Sequence, residues 1–169
     1  LMSIPTDGVS PSPSWCYSVG FMALQQPFME SGKAVYHSSN TSYFTSNVIA
    51  SGPPNNGLEK WRPSRTTGVV QARVTQVPML NGGTENFILV GDQSGFTYKV
   101  KSSNGAIVWT GNGGGPIGEV VQAQASVALY DFSNAAYKAR YTRDLVFFAT
   151  RNTSSHTNNR VFALWGDTG

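Results

Sequence analysis

The sequence predicts an all-β protein assembled from repeated four-stranded antiparallel sheets. Glycine supplies 18 of the 169 residues, whereas charged residues make up only 12% of them, a composition typical of turn-rich β proteins rather than helical bundles. The apolar fraction of 40% is enough for a folded domain with a core. The strongest indication is a pattern of similar segments that recurs about every 50 residues, within the range of known structural repeats.

Two pairs of segments define this repeat. NGLEKW, starting at Asn56, returns as NGAIVW at Asn104, and VVQARVTQV, starting at Val69, returns as VVQAQASVA at Val120. The segments that follow also correspond in order: NFILVGDQSG with DLVFFATRN, and FTYKVKSSNG with RVFALWGDTG. The extra residues of the later copy fall in polar, turn-forming stretches, so the alignment places insertions in loops.

Each repeat predicts four short strands. In the clearer copy they cover residues 69–77, 87–91, 96–101 and 106–110, which are rich in Val, Phe, Ile and Tyr and separated by Gly, Asn and Ser. Asn-Gly is a strong hairpin signal, and the Trp that follows, Trp61 or Trp109, is expected to pack between neighbouring sheets. Four strands per repeat is the make-up of a propeller blade.

The first strand of each repeat alternates in polarity. In the later copy the apolar side chains are expected on one face and the polar ones on the other; the two sets are Val121, Ala123, Ala125 and Val127, and Gln122, Gln124 and Ser126. In the earlier copy the corresponding polar positions include Gln71 and Arg73. One face of this strand is therefore predicted to be packed and the other to be exposed to solvent.

The repeat divides the chain into four parts. Residues 1–40 are a divergent N-terminal segment or partial blade, 41–68 the end of the first recognisable blade, 69–115 the second blade, and 116–169 a third blade that lacks its outer strand. A short helix at 19–26 is an open alternative within the first part. The glycine cluster GNGGGPIG lacks the Lys-Ser/Thr of a phosphate loop and is interpreted as the connection between two blades.

These residues resemble the pyrroloquinoline-quinone-type β-propeller repeat, whose blades end in a pattern close to A-x-D-x-x-T-G-x-x-x-W. ALWGDTG, starting at Ala163, carries the Ala and the Thr-Gly, and KVKSSNGAIVW carries the Gly and Trp109; Lys101 and Trp165 stand where the pattern has Asp. The resemblance covers roughly residues 47–169 and implies an incomplete propeller of about three blades, because closed propellers use about four to eight. We therefore expect further blades, or another polypeptide, to complete it.

Enzymes of this family hold quinone and calcium at the propeller axis, but no catalytic motif is recognised here, and no cofactor is expected in this chain. Asp92, Asp144 and Asp167 are interpreted as strand-end turn residues. His37 and His156 are placed in Ser/Thr/Asn loops without spaced partner ligands, so no metal site is predicted.

The best candidates for binding are polar residues of the first strands, which would line a central channel of the propeller: Gln71, Arg73, Gln122 and Gln124. An anionic ligand would meet Arg73 there. The alternative is that these side chains bond only to water and to neighbouring strands. Cys16 is the only cysteine and is interpreted as a packed thiol, with an intermolecular partner as the alternative.

Charge and hydropathy exclude two classes of function. The net charge is +3, but the twelve Lys and Arg residues are scattered, which speaks against nucleic-acid binding, and no apolar run is long enough for a membrane span. We expect a non-catalytic propeller segment of a secreted, periplasmic or extracellular bacterial protein, acting as a scaffold or binding partners through the loops at 130–143 and 151–159. The alternatives are part of a quinone-dependent dehydrogenase and a subunit of an extracellular filament or surface array.

Overall fold

The computed structural model shows a chain made of antiparallel β-sheets. It describes residues 87–128, 135–136, 143–152, 154 and 159–169, together with six strands that precede them. These six are β1 (Met2–Ser3), β2 (Trp15–Cys16), β3 (Phe28–Glu30), β4 (Ala34–Ser38), β5 (Phe44–Val48) and β6 (Thr75–Val77). The all-β prediction is confirmed for this part of the chain.

The first five strands form two small antiparallel sheets. Strand β1 pairs with β2, and β3, β4 and β5 follow one another in a three-stranded sheet. The placement of His37 in a loop is wrong, because this residue lies in β4 and pairs with Thr45 of β5. The adjacent Val35 and Tyr36 favour a strand, and cross-strand pairing overrides the turn propensity of the Ser and Asn residues nearby. His156 and the segment 19–26 lie outside the described residues.

The middle sheet is a regular four-stranded meander. It consists of β6, β7 (Phe87–Gly91), β8 (Thr97–Lys101) and β9 (Ile107–Thr110), each hydrogen-bonded to the next strand along the chain. All pairs are antiparallel, and one irregularity interrupts the register between Lys99 and Val100. These strands match those predicted for the second repeat, except that β6 is described only for its last three residues.

The C-terminal sheet has the same order, with an interrupted first strand. Strands β10 (Val120–Val121) and β11 (Ser126–Ala128) both pair with β12 (Leu145–Arg151), whose other side pairs with β13 (Val161–Trp165). Val121 pairs with Thr150, but Ser126 pairs with Phe147. Four residues therefore face two on the partner strand, which is a bulge. Because of it the predicted alternation is wrong at Ala123, which is exposed.

The strands pair in the same register within each of the two sheets. In each, the first residue of the second strand pairs with the last residue of both flanking strands: Val77, Phe87 and Lys101 in the middle sheet, and Ala128, Leu145 and Trp165 in the C-terminal sheet. The strand correspondence expected from the sequence is therefore present in the hydrogen-bond ladders. Residues of β8 and β13 correspond one to one at a spacing of 64 positions.

The turns after β8 and β13 repeat the same backbone geometry. The Gly105 N–H donates to the Lys101 carbonyl at 2.9 Å, and the Gly169 N–H donates to the Trp165 carbonyl at 2.8 Å. Both glycines have φ of 77°, a left-handed conformation that side chains disfavour. The sequence pair Ser-Asn-Gly and Asp-Thr-Gly thus produces one turn type.

The main core lies between the two sheets. It combines buried side chains from both and from their connection: Leu89, Trp109, Ile117, Val121, Ala125, Val146 and Phe148. Gly91 allows a close approach of the two sheets, because a Cβ at this position would collide with Val121. The opposite face of the middle sheet is buried too, through Ile88, Val90 and Val100. Both faces of that sheet are therefore covered.

The glycine cluster connects the two sheets, as expected. A short 3-10 turn at Asn112–Gly114 follows β9, and the chain then runs back along the middle sheet. The Ile117 N–H donates to the Gly95 carbonyl, and the Val121 N–H donates to the Asp92 carbonyl, both at 2.9 Å. Backbone hydrogen bonds thus tie the first strand of the C-terminal sheet to the β7–β8 turn. No helix in the described part of the chain is long and apolar enough to cross a membrane.

Candidate functional site

The predicted channel residues are described only in the C-terminal sheet, where they lie at the bulge between β10 and β11. Gln122 is half-buried, and its Oε1 accepts a hydrogen bond from Arg151 Nη1 at 3.1 Å. Gln124 is exposed. Gln71 and Arg73 lie outside the described residues, so the proposed channel and its anionic ligand stay predictions.

Asp92 organises the turn between β7 and β8. The side chain is fully buried, and its Oδ1 accepts hydrogen bonds from the N–H groups of Ser94 and Phe96 at 2.9 and 3.0 Å. Its Oδ2 accepts the Tyr98 hydroxyl at 2.9 Å. The interpretation of Asp92 as a turn residue is confirmed, because its two carboxylate oxygens hold a tight turn and the strand that follows it.

The other two acids lie at the ends of β12 and β13. Asp144 is buried just before β12, and its carbonyl accepts the Gly166 N–H at 2.8 Å. Asp167 lies in the turn after β13 and forms an ion pair of 3.5 Å with Arg143. Within the described residues, no group of three His, Cys, Asp or Glu side chains is placed to bind a metal ion.

Trp109 joins the outer strand of the middle sheet to the last turn of the C-terminal sheet. Its indole Nε1 donates to the Gly166 carbonyl at 3.2 Å, and the side chain is only 7% exposed. A Cβ on Gly169 would lie 2.9 Å from the indole ring, so the glycine lets the ring approach the backbone. The prediction that Trp109 packs between neighbouring sheets is confirmed, whereas Trp61 lies outside the described residues.

Lys99 is buried at the same junction. Its Nζ donates to the Gly166 carbonyl at 2.7 Å and lies 4.1 Å from the centroid of the Phe87 ring. Burial lowers the pKa of the Lys99 amine, and the charges of Asp167 and Asp144 oppose this shift. A lysine is seldom fully buried without such partners. The ammonium therefore serves as a hydrogen-bond donor that closes the junction.

A groove of about 240 Å³ opens beside the connection between the sheets. Its walls come from the connection and from the ends of β12 and β13: Ile117, Gly118, Glu119, Thr150, Asn152, Arg160 and Phe162. Glu119 Oε1 accepts a hydrogen bond from Ser154 Oγ at 3.0 Å. The only carboxylate of the lining is thus held by a neighbouring loop.

The C-terminal sheet presents an apolar face away from the middle sheet. This outer face, as we call it, is formed by alternate residues of β12 and β13: Leu145, Phe147, Ala149, Val161, Ala163 and Trp165. The strongest exposure is on β13, where Val161 is 71% and Trp165 40% accessible. The intervening Phe162 and Leu164 pack against the core between the sheets. Exposed apolar surface that is contiguous is typical of an interaction site.

The register shows what this surface corresponds to in the middle sheet. Val161, Ala163 and Trp165 match positions on β8 whose side chains point toward the C-terminal sheet: Thr97, Lys99 and Lys101. Thr97 is fully buried and Lys99 almost so. The outer face is therefore the counterpart of a face that is covered one repeat earlier, and it is the candidate functional site.

The sequence of β13 carries a signal for this surface. The β13 segment VFALW is apolar at every position, as in strands buried on both faces. No protein-family model matches the chain, and no curated protein matches it.

Proposed function

We propose that the chain is a non-catalytic β-propeller segment that serves as a scaffold or partner-binding surface, completed by further blades or by another chain. The observation that carries the proposal is the outer face, because it repeats the position of a buried surface, is apolar and is exposed along β13. The proposal includes the secreted, periplasmic or extracellular location and the bacterial source, which the resemblance of the repeat supports.

The junction between the sheets is directional. The middle sheet packs through the face that carries Leu89 and Lys99. The C-terminal sheet packs through its non-equivalent face, which carries Val146 and Leu164. Two different surfaces in contact form a head-to-tail interface, which continues to add units until a ring closes. A propeller is such a ring of sheets, so the same geometry favours addition of a further sheet on the outer face.

The outer face also restricts the shape of its partner. Ala149 occupies the position that corresponds to Gly91, which lies against Val121 in the existing junction. A methyl group there leaves no room for a valine from the incoming sheet. We therefore expect a partner sheet whose first strand carries a smaller residue, such as Ala, where this chain has Val121.

The proposal is tested by adding a further unit taken from the chain's own sequence. A copy of residues 106–169 is appended after Gly169, with Val121→Ala in the copy, so that the turn at Gly169 is followed by the residues that follow Gly105. We expect the extended chain to unfold cooperatively in urea with a higher free energy of unfolding, because a second junction buries the outer face.

Charge substitutions identify the surface responsible. Val161→Glu is expected to leave the parent chain almost unchanged, since Val161 is 71% exposed, and to remove most of the gain in the extended chain, where the carboxylate would be buried. Val108→Glu, at a residue that is 40% exposed outside the outer face, is the matched control. Equal effects of the two substitutions, or no gain from the extension, would contradict the proposal.

A further inference from the structure

The connection between the two sheets contains an asparagine that is followed by glycine. Asn-Gly occurs four times in the sequence, at Asn56, Asn81, Asn104 and Asn112, and the structure describes the last two pairs. At such a pair the glycine amide nitrogen can attack the asparagine side chain, because glycine has no Cβ and restricts the backbone least. The two described pairs therefore place one reaction in two different surroundings.

The pair at Asn104 is held by the hairpin between β8 and β9. Gly105 is buried, and its N–H donates to the Lys101 carbonyl at 2.9 Å. The Asn104 side chain is engaged as well, because its Oδ1 accepts the Ala106 N–H at 3.0 Å. The nitrogen that would attack is thus protected by a hydrogen bond, and it reacts only when this turn opens.

The pair at Asn112 is exposed, and its attacking nitrogen is open. No acceptor among the described residues bonds to the Gly113 N–H. Asn112 is the only described residue other than glycine with a positive φ, 55°, a conformation that is uncommon outside glycine. The bonds that hold this turn run from Gly114 to Gly111 and from Gly115 to Asn112, and both are 3.2 Å long. These long bonds, and the three glycines that follow Asn112, let the backbone rotate toward the geometry of attack.

We propose that Asn112 is a site of spontaneous deamidation, carried out by the Gly113 amide. Hydroxide removes the Gly113 amide proton, the nitrogen bonds to Asn112 Cγ, and the bond from Cγ to Nδ2 breaks, so that Nδ2 leaves as ammonia with a proton taken from water. Water then opens the cyclic imide at either carbonyl, which leaves aspartate or isoaspartate. The inference goes beyond the proposed function and does not depend on it, because the reaction takes place within the connection and not on the outer face.

The product changes how the connection is held. Asn112 Nδ2 donates to the Pro116 carbonyl at 3.0 Å. Deamidation replaces this donor by a carboxylate, which can only accept hydrogen bonds and is repelled by the carbonyl oxygen, and isoaspartate also adds a methylene to the main chain. Pro116 precedes Ile117, whose N–H bonds to the Gly95 carbonyl of the β7–β8 turn. We therefore expect the converted connection to open more often at Ile117.

The direct measurement compares the two pairs within the full chain. The protein is incubated at mildly alkaline pH and digested, and the conversion at each asparagine is followed by mass spectrometry. In the folded chain we expect Asn112 to convert at least about tenfold faster than Asn104, because burial and the hydrogen bond of Gly105 suppress deprotonation of its amide. In guanidinium chloride the two sites should convert at similar rates, because the structure no longer distinguishes them.

Two results would overturn the proposal. One is an equal rate of conversion at Asn112 and Asn104 in the folded chain. The other is a difference that persists unchanged after unfolding, because it would then belong to the local sequence and not to the structure. Hydrogen exchange gives an independent readout, since the Gly113 amide should exchange at least about tenfold faster than the Gly105 amide. Equal protection of these two amides would also contradict the proposal.

Two substitutions separate the reaction from its consequence. Gly113→Ala adds a methyl group that meets nothing within 4 Å but hinders the attack, so it should remove most of the conversion at Asn112 and leave Asn104 unchanged. The comparison within the unaltered chain decides the question even if alanine, at a φ of 62°, alters the turn. Asn112→Asp supplies the carboxylate from the start and should speed exchange of the Ile117 amide several-fold. Unchanged exchange at Ile117 would overturn the effect on the connection.

Discussion

The middle and C-terminal sheets have the same strand order, register and closing turn, yet their corresponding faces differ in burial. The more polar face is the buried one, contrary to the usual rule that apolar side chains are buried. On the middle sheet the face toward its neighbour carries Thr97 and Lys99, and both are buried. On the C-terminal sheet the corresponding Val161 and Ala163 are apolar and exposed. Polarity alone would predict that the middle-sheet face is exposed and the C-terminal face is buried, which is the reverse of what is observed.

The contacts of Lys99 explain how a polar face can be buried. The amine reaches the Gly166 carbonyl of the next sheet and lies over Phe87, so the cation is paired on both sides of the junction. Nothing comparable is possible at Ala163, where burial requires an apolar partner. Position in the repeat, rather than polarity, therefore identifies which surfaces meet other sheets.

The largest expected effect separates two tryptophans. Trp109→Ala should lower the free energy of unfolding by about 3–5 kcal/mol, because it empties the junction and leaves the Gly166 carbonyl with one donor fewer. Trp165→Ala, at a side chain that is 40% exposed, should cost less than about 1 kcal/mol. Chemical denaturation of both variants measures the difference, and similar losses would show that the outer face already has a partner within the chain.

The next effect concerns the β7–β8 turn, where the Asp92 carbonyl accepts a hydrogen bond from β10. Asp92→Ala leaves two backbone N–H groups and the Tyr98 hydroxyl without their carboxylate acceptor, so we expect a loss of about 3 kcal/mol. Tyr98→Phe removes only one of these bonds and should cost about 1 kcal/mol. Urea denaturation checks the ratio, and a neutral Asp92→Ala would contradict the structural role of this carboxylate.

A smaller effect tests the close approach of the sheets. Gly91→Ala places a methyl group against Val121 and should cost about 2 kcal/mol through overpacking. Combined with Val121→Ala, the two substitutions should be less destabilising than the sum of the single ones, since the second makes room for the first. Additive losses in a double-mutant cycle would mean that these residues do not meet, and would remove the reason for expecting a small residue in the partner.

The smallest effect is a pH dependence at Lys99. Burial lowers its pKa in the folded chain below the ordinary value of 10.5, so the unfolded chain binds more protons between those two values. The contribution of Lys99 to stability should therefore rise as the pH increases through that window. Lys99→Met removes this dependence and should change stability at pH 7 by less than about 1 kcal/mol. Urea titrations from pH 7 to 10 compare the two chains, and an identical pH slope would contradict the assignment.

The repeat was predictable because residues at equivalent register positions are similar in the two copies. The pairs Asn104-Gly105 and Thr168-Gly169 differ in their first residue but share a glycine with positive φ, which no other residue supplies as readily. The strands of the middle sheet followed from their β-branched and aromatic residues. The wedge role of Trp109 followed from its place after a hairpin turn.

Other features depended on contacts between distant residues and could not be predicted. The bulge at β10–β11 exposes Ala123 although its neighbours alternate regularly, because register against β12 decides which residues face inward. Lys99 carries no sequence mark of burial, since its partner is the carbonyl of Gly166. The outer face was missed for the same reason, because β13 is apolar at every position and alternation could not assign its faces.

The central claim is that the outer face is a surface for another sheet, and thiol accessibility tests it most directly. With Cys16→Ser and Val161→Cys, the labelling rate of the new thiol is measured in the parent chain and in the chain extended by residues 106–169. We predict rapid labelling in the parent and a decrease of about a hundredfold or more in the extended chain, with Val108→Cys unaffected. Equal labelling of Val161→Cys in both chains would contradict the account.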